Sequence, residues 1–454
     1  MKTIIIVGGG AAGLMAAISA SGEGRKVIVV DHNDKAGRKL FITGKGRCNI
    51  TNACPPEEFL GHVVTNSRFL YSAFSRFSNR DMMDFLEREG LSIKTERGQR
   101  VFPQSDHSSD VIRTLTGVCR EKGVQFRFGS HVKELLFDDL VTDGARENTT
   151  VVFSEEAGAQ KNLKKNDSGQ KSRRHKGPER KIAGVRFSDG SSMACDALIL
   201  ACGGRSYPST GADGSGFDLA RSAGHRITDL QPSLVPFEME ETWCRELMGL
   251  SLKNISIRVK SGRKLVFEGF GEFLFTHFGV SGPLVLTAST RLGPFWKDLK
   301  EGKLTLLLDL KPALDSQQLD KRFLREFDTF RNKNIANLLG SLLPRKMIPV
   351  FLGLCGIPED KKVREISRQE RRRMEEMMKN LPMKITGLRG FDEAIITRGG
   401  VAVRELDPAT MASRKTAGLY LCGEMLDLDA VTGGFNLQIA WTTGYAAGKS
   451  SSLP

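Results

Sequence analysis

An α/β fold is predicted, and three observations predict it. An apolar, largely β-branched run, Thr3-Ile4-Ile5-Ile6-Val7, leads into glycines at 8, 9, 10 and 13. A small-residue segment with helical composition follows. A second apolar run, Val27-Ile28-Val29-Val30, then ends in an acid, Asp31. Strand, glycine turn, helix, strand and acid in that order are the signature of a dinucleotide-binding βαβ unit with parallel strands.

Each position in the unit has a physical task. Gly8 permits the tight turn from strand to helix, Gly10 lets the backbone approach a diphosphate, and Gly13 lets the helix pack close to the sheet. The amides and dipole at the helix N-terminus attract phosphate. Asp31, roughly 20 residues further on, can accept hydrogen bonds from a ribose diol and would repel a 2′-phosphate. The motif alone does not separate FAD from NAD.

With 454 residues, 40% of them hydrophobic, the chain can bury a large core and is expected to form two or three domains. It has no uninterrupted apolar stretch of membrane-spanning length, so no membrane is expected as a partner. The first apolar run passes into a glycine turn rather than a cleavage site, which argues against a signal peptide. The eight cysteines (48, 54, 119, 195, 202, 244, 355, 422) are dispersed without a CxxC pair. That pattern argues against a metal site or disulfide framework and for a cytoplasmic location.

The net charge of +14 invites a nucleic-acid reading, so its distribution matters. Nine Lys or Arg fall between Gly158 and Lys181 against Asp167 and Glu179. This stretch, 158–181, is expected to be a disordered basic loop between two β-like segments, Thr150 to Phe153 and Ile182 to Phe187. No aromatic is interleaved with its charges, so a nucleic-acid partner is not expected through it.

Along the chain, Lys35 to Pro56 reads as a loop rich in Gly, Lys, Arg and Asn. Asp81 to Arg88 and Ser109 to Glu121 have helical spacing, and strands are expected at Val124 to Phe128, Val132 to Phe137 and Met193 to Leu200. Gly216 to Ala223 reads as a helix closed by Gly224. From about Pro232 alternating segments, Ile255 to Val259 and Lys303 to Leu310, predict a β-rich region. Leu314 to Phe351 and Ser367 to Leu381 read as helices. Strand and turn chemistry returns at Glu393 to Val403 and at Gly418 to Glu424. The expected division is a discontinuous nucleotide-binding domain, 1–234 and 393–454, with a β-rich insertion at 235–312 and a helical one at 313–392.

Two further motifs carry chemistry. In Gly37-Arg38-Lys39 through Gly44-Lys45-Gly46-Arg47-Cys48-Asn49 the glycines allow close backbone approach, the cations can neutralise phosphate, and Asn49 can bond a heterocycle edge. A basic surface loop would look similar, but this one directly follows the ribose-binding acid. Near the C-terminus, Gly423-Glu424 precedes Gly433-Gly434-Phe435-Asn436-Leu437-Gln438, which opens an Ala/Gly-rich helix. A second helix N-terminus there could stabilise negative charge on a reduced isoalloxazine. Tyr207 and His277 are the candidate proton donors. Cys48 lacks a nearby partner thiol and reads as a small packed residue.

Taken together, IIIVGGGAAGLMAA, AGRKLFITGKGRCNITN, CGGRSYPSTGADGSGF, FTHFGVSGP, ITRGGVAVRELDPATM and GLYLCGEMLDLDAVTGGFNLQIAWTTG resemble the bacterial BaiN-like flavoproteins. The resemblance implies a discontinuous Rossmann-type FAD-binding domain, an inserted β-barrel-like domain and a small helical domain. It also implies FAD contacts. Gly8, Gly10, Ala12 and Gly13 would meet the pyrophosphate and Asp31 the ribose, where the family commonly has Glu. Lys39, Arg47, Cys48 and Asn49 would line the cofactor, with Val132 at adenine and Gly203 and Gly204 beside the nucleotide. Gly423, Glu424, Gly434, Phe435, Asn436 and Leu437 would complete the flavin end.

Three activities are open at this point. The first is reduction of a C=C in a 3-oxo steroid or bile-acid-like enone, with NAD(P)H as a transient donor. The second is oxidation of small amines such as aminoacetone, and the third is an RNA-associated flavoprotein. No second GxGxxG unit is present, so stable nicotinamide binding is unsupported. A small-molecule substrate is expected, and the inserted domain carries no readable code for it.

Overall fold

A computed structural model describes residues 1–140, 178 and 180–453. Five parallel strands form the central sheet in the spatial order Leu419–Leu421, Ala197–Leu200, Lys2–Val7, Arg25–Val30, Gln125–Arg127. The first strand pairs on both edges, Ile4 standing opposite Ala197 on one side and Val27 on the other. Burial on both faces explains its unbroken β-branched run. The chain's two ends therefore build one sheet.

The helix Ala11–Ala20 packs on this sheet and against the C-terminal helix Phe435–Ser451. Both helices are almost wholly buried, and the absence of side chains lets them close. A Cβ on Gly13 would lie 1.8 Å from the Gly8 carbonyl oxygen, one on Gly444 2.3 Å from Ala12 O, and one on Gly448 2.2 Å from Ala16 O. Trp441, fully buried, ties the C-terminal helix to the loop before residue 51 through Nε1 donating to Ile50 O at 3.0 Å.

The inserted body is a closed barrel of Phe237–Met239, Gly279–Ser281, Lys264–Phe275, Ser251–Ser261, Leu304–Asp309 and Leu381–Leu388. Alternation does what it predicts here: Ile255, Ile257 and Val259 face one core together with Leu304, Leu306 and Leu308. The helices from Ser316–Thr329 to Arg368–Lys379 share that core, through Phe323, Phe351 and Met374.

Several sequence expectations change. The segment expected to be helical, 313–392, contains the barrel strand Leu381–Leu388, so the helices are inserted between two barrel strands and do not form a separate block. Leu314 to Phe351 is not one helix. It breaks into Ser316–Thr329, Ile335–Leu339 and Ile348–Cys355, because Asn334 and Pro344 are extended. Met193 to Leu200 is two strands in different sheets, split where the Asp196 carboxylate accepts from Thr3 N–H at 2.7 Å. The loop Lys35 to Pro56 contains a short helix, Arg38–Ile42, and a strand, Thr51–Asn52. Thr150 to Phe153 and nearly all of 158–181 lie outside the described residues, whereas Ile182 to Phe187 is in the strand Arg180–Phe187. Among the described residues, no helix is long and apolar enough to cross a membrane.

The helix contact yields a direct test. Gly444→Val drives a side chain into Ala12 O and is expected to destabilise the protein by about 1–3 kcal/mol, read as a lower urea midpoint. An unchanged midpoint would show that the two helices do not depend on this approach.

Candidate active site

One cavity of about 570 Å³ runs along the C-terminal edge of the parallel sheet, within the size range of cofactor and ligand sites. At one end Gly8, with φ +108°, turns the chain so that Gly10, Ala11 and Ala12 face the cavity. No side chain caps this helix, and its first turn has no acid. Its free amides are therefore presented to whatever fills the space, which suits a diphosphate.

Asp31 lines the same end. Its Oδ2 accepts from Gly9 N–H at 2.6 Å, and its Oδ1 accepts from Asn33 N–H at 2.8 Å and Asn33 Nδ2 at 2.9 Å. Those bonds hold the carboxylate in place and leave lone pairs for a ribose diol. His32, Asn33 and His131, which the sequence reading missed, also line this end, and the two imidazoles meet edge to face at 5.9 Å. The available signal was proximity: two of the three directly follow Asp31.

At the other end Lys39 Nζ donates to Glu424 Oε2 at 2.6 Å and to Ser206 Oγ at 2.5 Å. Ser206 Oγ donates to Glu424 Oε1 at 2.6 Å, and the Thr397 backbone N–H reaches the same oxygen at 2.9 Å. The C-terminal helix also begins here without a side-chain cap, after Gly433 at φ +120° and Gly434 at φ +97°. A Cβ on Gly434 would lie 2.3 Å from Thr51 O, so glycine is required. With its amide turned to match its neighbours, Asn49 accepts from Gly434 N–H at 3.0 Å and donates to Thr51 O at 3.1 Å. Asn436 is turned back onto its own loop, bonding Ala430 N–H and Ala430 O, both at 2.9 Å.

Tyr207 enters from the turn after the strand Ala197–Leu200, held at φ +52° with its N–H donating to Phe391 O at 3.0 Å. Burial raises its hydroxyl above the ordinary phenol range, so the group stays protonated near neutral pH. Leu234, Leu286 and Ile395 add apolar lining to the same cavity.

The cavity thus brings together Gly8, Gly10, Ala12, Asp31, Lys39 and Asn49. Val132, Gly203, Tyr207, Glu424, Gly434, Asn436 and Leu437 join them. Other expected residues lie behind this surface. Gly13 serves helix packing, and a Cβ on Gly204 would strike Thr397 Oγ1 at 2.4 Å. Gly423, at φ +78°, faces Ala12, and Phe435 stacks on His62 with centroids 4.3 Å apart. Cys48 is fully buried, and desolvation pushes its thiol up to about 12.

Two expectations are corrected. Arg47 does not line the cavity: its guanidinium lies over the Phe102 ring and binds Glu96 and Asp106, which already neutralise it. His277 does not line it either; it is exposed in the turn between barrel strands Lys264–Phe275 and Gly279–Ser281.

Asp31→Ala is expected to weaken cofactor retention by roughly 10- to 100-fold, the range for a hydrogen bond to a charged group, measured by flavin released on dilution. Because its thiol stays protonated well above neutral pH, Cys48 is expected to resist iodoacetamide at pH 8 in the folded protein and to react once unfolded. Rapid labelling of the native protein would contradict the burial described.

The HI0933-like protein Rossmann domain family matches residues 2–156 and 141–450. A 3-dehydro-bile acid delta(4,6)-reductase from Clostridium scindens is 30% identical over 459 residues, covering 100% of this chain and 99% of that one. A ribosomal RNA dihydrouridine synthase from Escherichia coli is 27% identical over 448 residues, covering 98% and 96%. Among solved structures, a 3-ketosteroid-delta4-(5alpha)-dehydrogenase from Rhodococcus jostii superposes with a TM-score of 0.52 at 14% identity, covering 100% of this chain and 97% of that one, a likeness of fold. On the family match and the full-length relative, the chain belongs to the HI0933-like family and is an FAD-dependent oxidoreductase built on its Rossmann domain.

Proposed function

We propose that this enzyme saturates a carbon–carbon double bond conjugated to a carbonyl, with NAD(P)H as a transient electron donor. One observation carries the reading: a protonated, half-buried Tyr207 lines the same cavity as two uncapped helix N-termini. Bound FAD, once reduced, supplies hydride chemistry at its N5 atom. The chain has to do the rest.

The first helix would hold the diphosphate through its backbone amides, and Asp31 the ribose. Lys39 and Glu424 would meet the ribityl and flavin end, and the Gly434 helix N-terminus would favour negative charge there. Leu234, Leu286 and Ile395 would supply the apolar surface against which the reacting bond lies. Tyr207 Oη would deliver the proton to the carbon next to the carbonyl and recover it from solvent.

A 3-oxo steroid enone presents such a bond, and the full-length relative named as a bile-acid reductase supports that substrate class. A second reading is a uracil base of RNA, whose C5=C6 bond is conjugated to the C4 carbonyl. It is favoured by two relatives at 27% identity, from Escherichia coli and Haemophilus influenzae, named as ribosomal RNA dihydrouridine synthases, and by the net charge of +14. Such a base would have to leave its stack to enter the cavity.

The test is anaerobic. NADH or NADPH is expected to bleach the flavin, and an enone, either a 3-oxo-Δ4 steroid or a uridine-containing RNA, is expected to restore its colour. Bleaching by aminoacetone and recovery with dioxygen alone would instead identify an amine oxidase. In Tyr207→Phe, bleaching by NAD(P)H should be retained while recolouring by the enone slows by about 10²–10⁴-fold.

A further inference from the structure

A cationic face on the inserted body stands apart from the cavity. Segments 331–333 and 361–373 carry nine Lys or Arg against two acids, Glu365 and Glu370, and no Asp or Glu occurs between Asp328 and Glu359. The fold lays these segments side by side. Arg364 N–H donates to Arg331 O at 3.2 Å, Val363 N–H to Lys333 O at 3.0 Å and Ile335 N–H to Lys361 O at 2.9 Å, and Asn334 bridges Lys362.

The two acids within these segments are engaged, while Glu359 and Asp360, just before Lys361, are exposed and in no ion pair among the described residues. Glu370 binds Lys361 at 2.7 Å, and Glu365 lies 3.7 Å from Arg364. Arg331, Lys333, Arg368 and Arg372 are exposed and form no ion pair among the described residues. Phe330 sits within this cluster, half-buried, with Lys333 Nζ 5.1 Å from its ring centre. Cations interleaved with an aromatic are what a nucleic acid uses, the cations for phosphate and the ring for an unpaired base. The loop 158–181 has the charges without the ring.

We propose that this face docks the phosphodiester backbone of a folded RNA, Phe330 receiving an unpaired base. The proposal rests on the uracil reading and names the surface that would hold the substrate while its base enters the cavity. Sequence-independent contacts of this kind position a substrate without specifying it.

The test compares the FAD-loaded wild type with the triple variant Arg331→Ala, Lys333→Ala and Arg364→Ala, using a fluorescent ribosomal RNA hairpin. The variant is expected to bind at least tenfold more weakly, with the slope of log K against log salt reduced by about 2 to 3 for three lost phosphate contacts. Flavin content and bleaching by NAD(P)H are expected to be unchanged, because these side chains are on the surface. Arg331→Lys with Arg364→Lys, which keeps the charge, should retain binding. If the wild type binds the hairpin and the triple variant binds it equally, the face is wrong and the uracil reading stands. If the wild type does not bind at low salt, both fall. Loss of binding to phosphatidylglycerol vesicles with RNA binding intact would make this a lipid surface and overturn the proposal.

Discussion

The first helix can point a bare N-terminus into the cavity because the surrounding backbone comes nearer to it than any Cβ would allow. Gly13 lets it sit on the Gly8 carbonyl, and Gly444 and Gly448 let the C-terminal helix lie against Ala12 and Ala16. An ordinary surface helix would recruit a Ser or Asp to its first turn. Here Gly10 stands at that position and no side chain bonds the amides. The same residues set packing and access: close packing of small side chains fixes the helix, and the missing cap leaves its amides open to the cavity, an end suited to an anion.

The Lys39–Glu424 pair organises the opposite end. Its side chains are only 22% and 21% exposed, so the attraction is offset by the cost of removing both charges from water, and the pair is weak evidence for stability. Its value is positional. Lys39 follows the second strand of the sheet, Ser206 follows Ala197–Leu200, and Glu424 follows Leu419–Leu421. Thr397 belongs to the strand by which the chain leaves the insertion, and its hydroxyl accepts from Arg205 N–H at 2.7 Å and Ser206 N–H at 3.1 Å. One carboxylate and one hydroxyl therefore join three sheet strands to the insertion, and set the turn that delivers Tyr207. Parallel sheets bind ligands at this edge because all their strands end there.

The nucleotide half was legible because each of its demands is local. A glycine in a tight turn, an acid closing a strand and a Gly-Gly opening a helix constrain the residues that carry them. What was not legible depended on distant partners. Nothing in the sequence around Arg47 says that Glu96 and Asp106 will claim it before a phosphate can. His277 sits in a motif, yet its place in an exposed barrel turn is a matter of topology. The helical periodicity of 314–351 was real but belonged to three helices, and Leu381, with the residues after it, carries an alternation that becomes meaningful once Leu304–Asp309 is beside it.

That barrel closure bears on specificity. The chain enters the insertion through Gln231–Ser233 and leaves through Ile396–Arg398, and these strands pair antiparallel. Leu234 and Ile395, which flank the crossing, line the cavity, as does Leu286 of the inserted body. The Thr287 and Thr432 hydroxyls meet across the two bodies at 3.3 Å. The glycine-lined end of the cavity is thus made by the sheet, while the apolar lining of Leu234, Leu286 and Ile395 comes from where the insertion begins and ends and from the inserted body. A change in the insertion can alter what is admitted without disturbing the diphosphate turn. On the proposed chemistry this lining asks for a flat conjugated carbonyl and little else, which leaves any larger substrate to be recognised by surfaces outside the cavity.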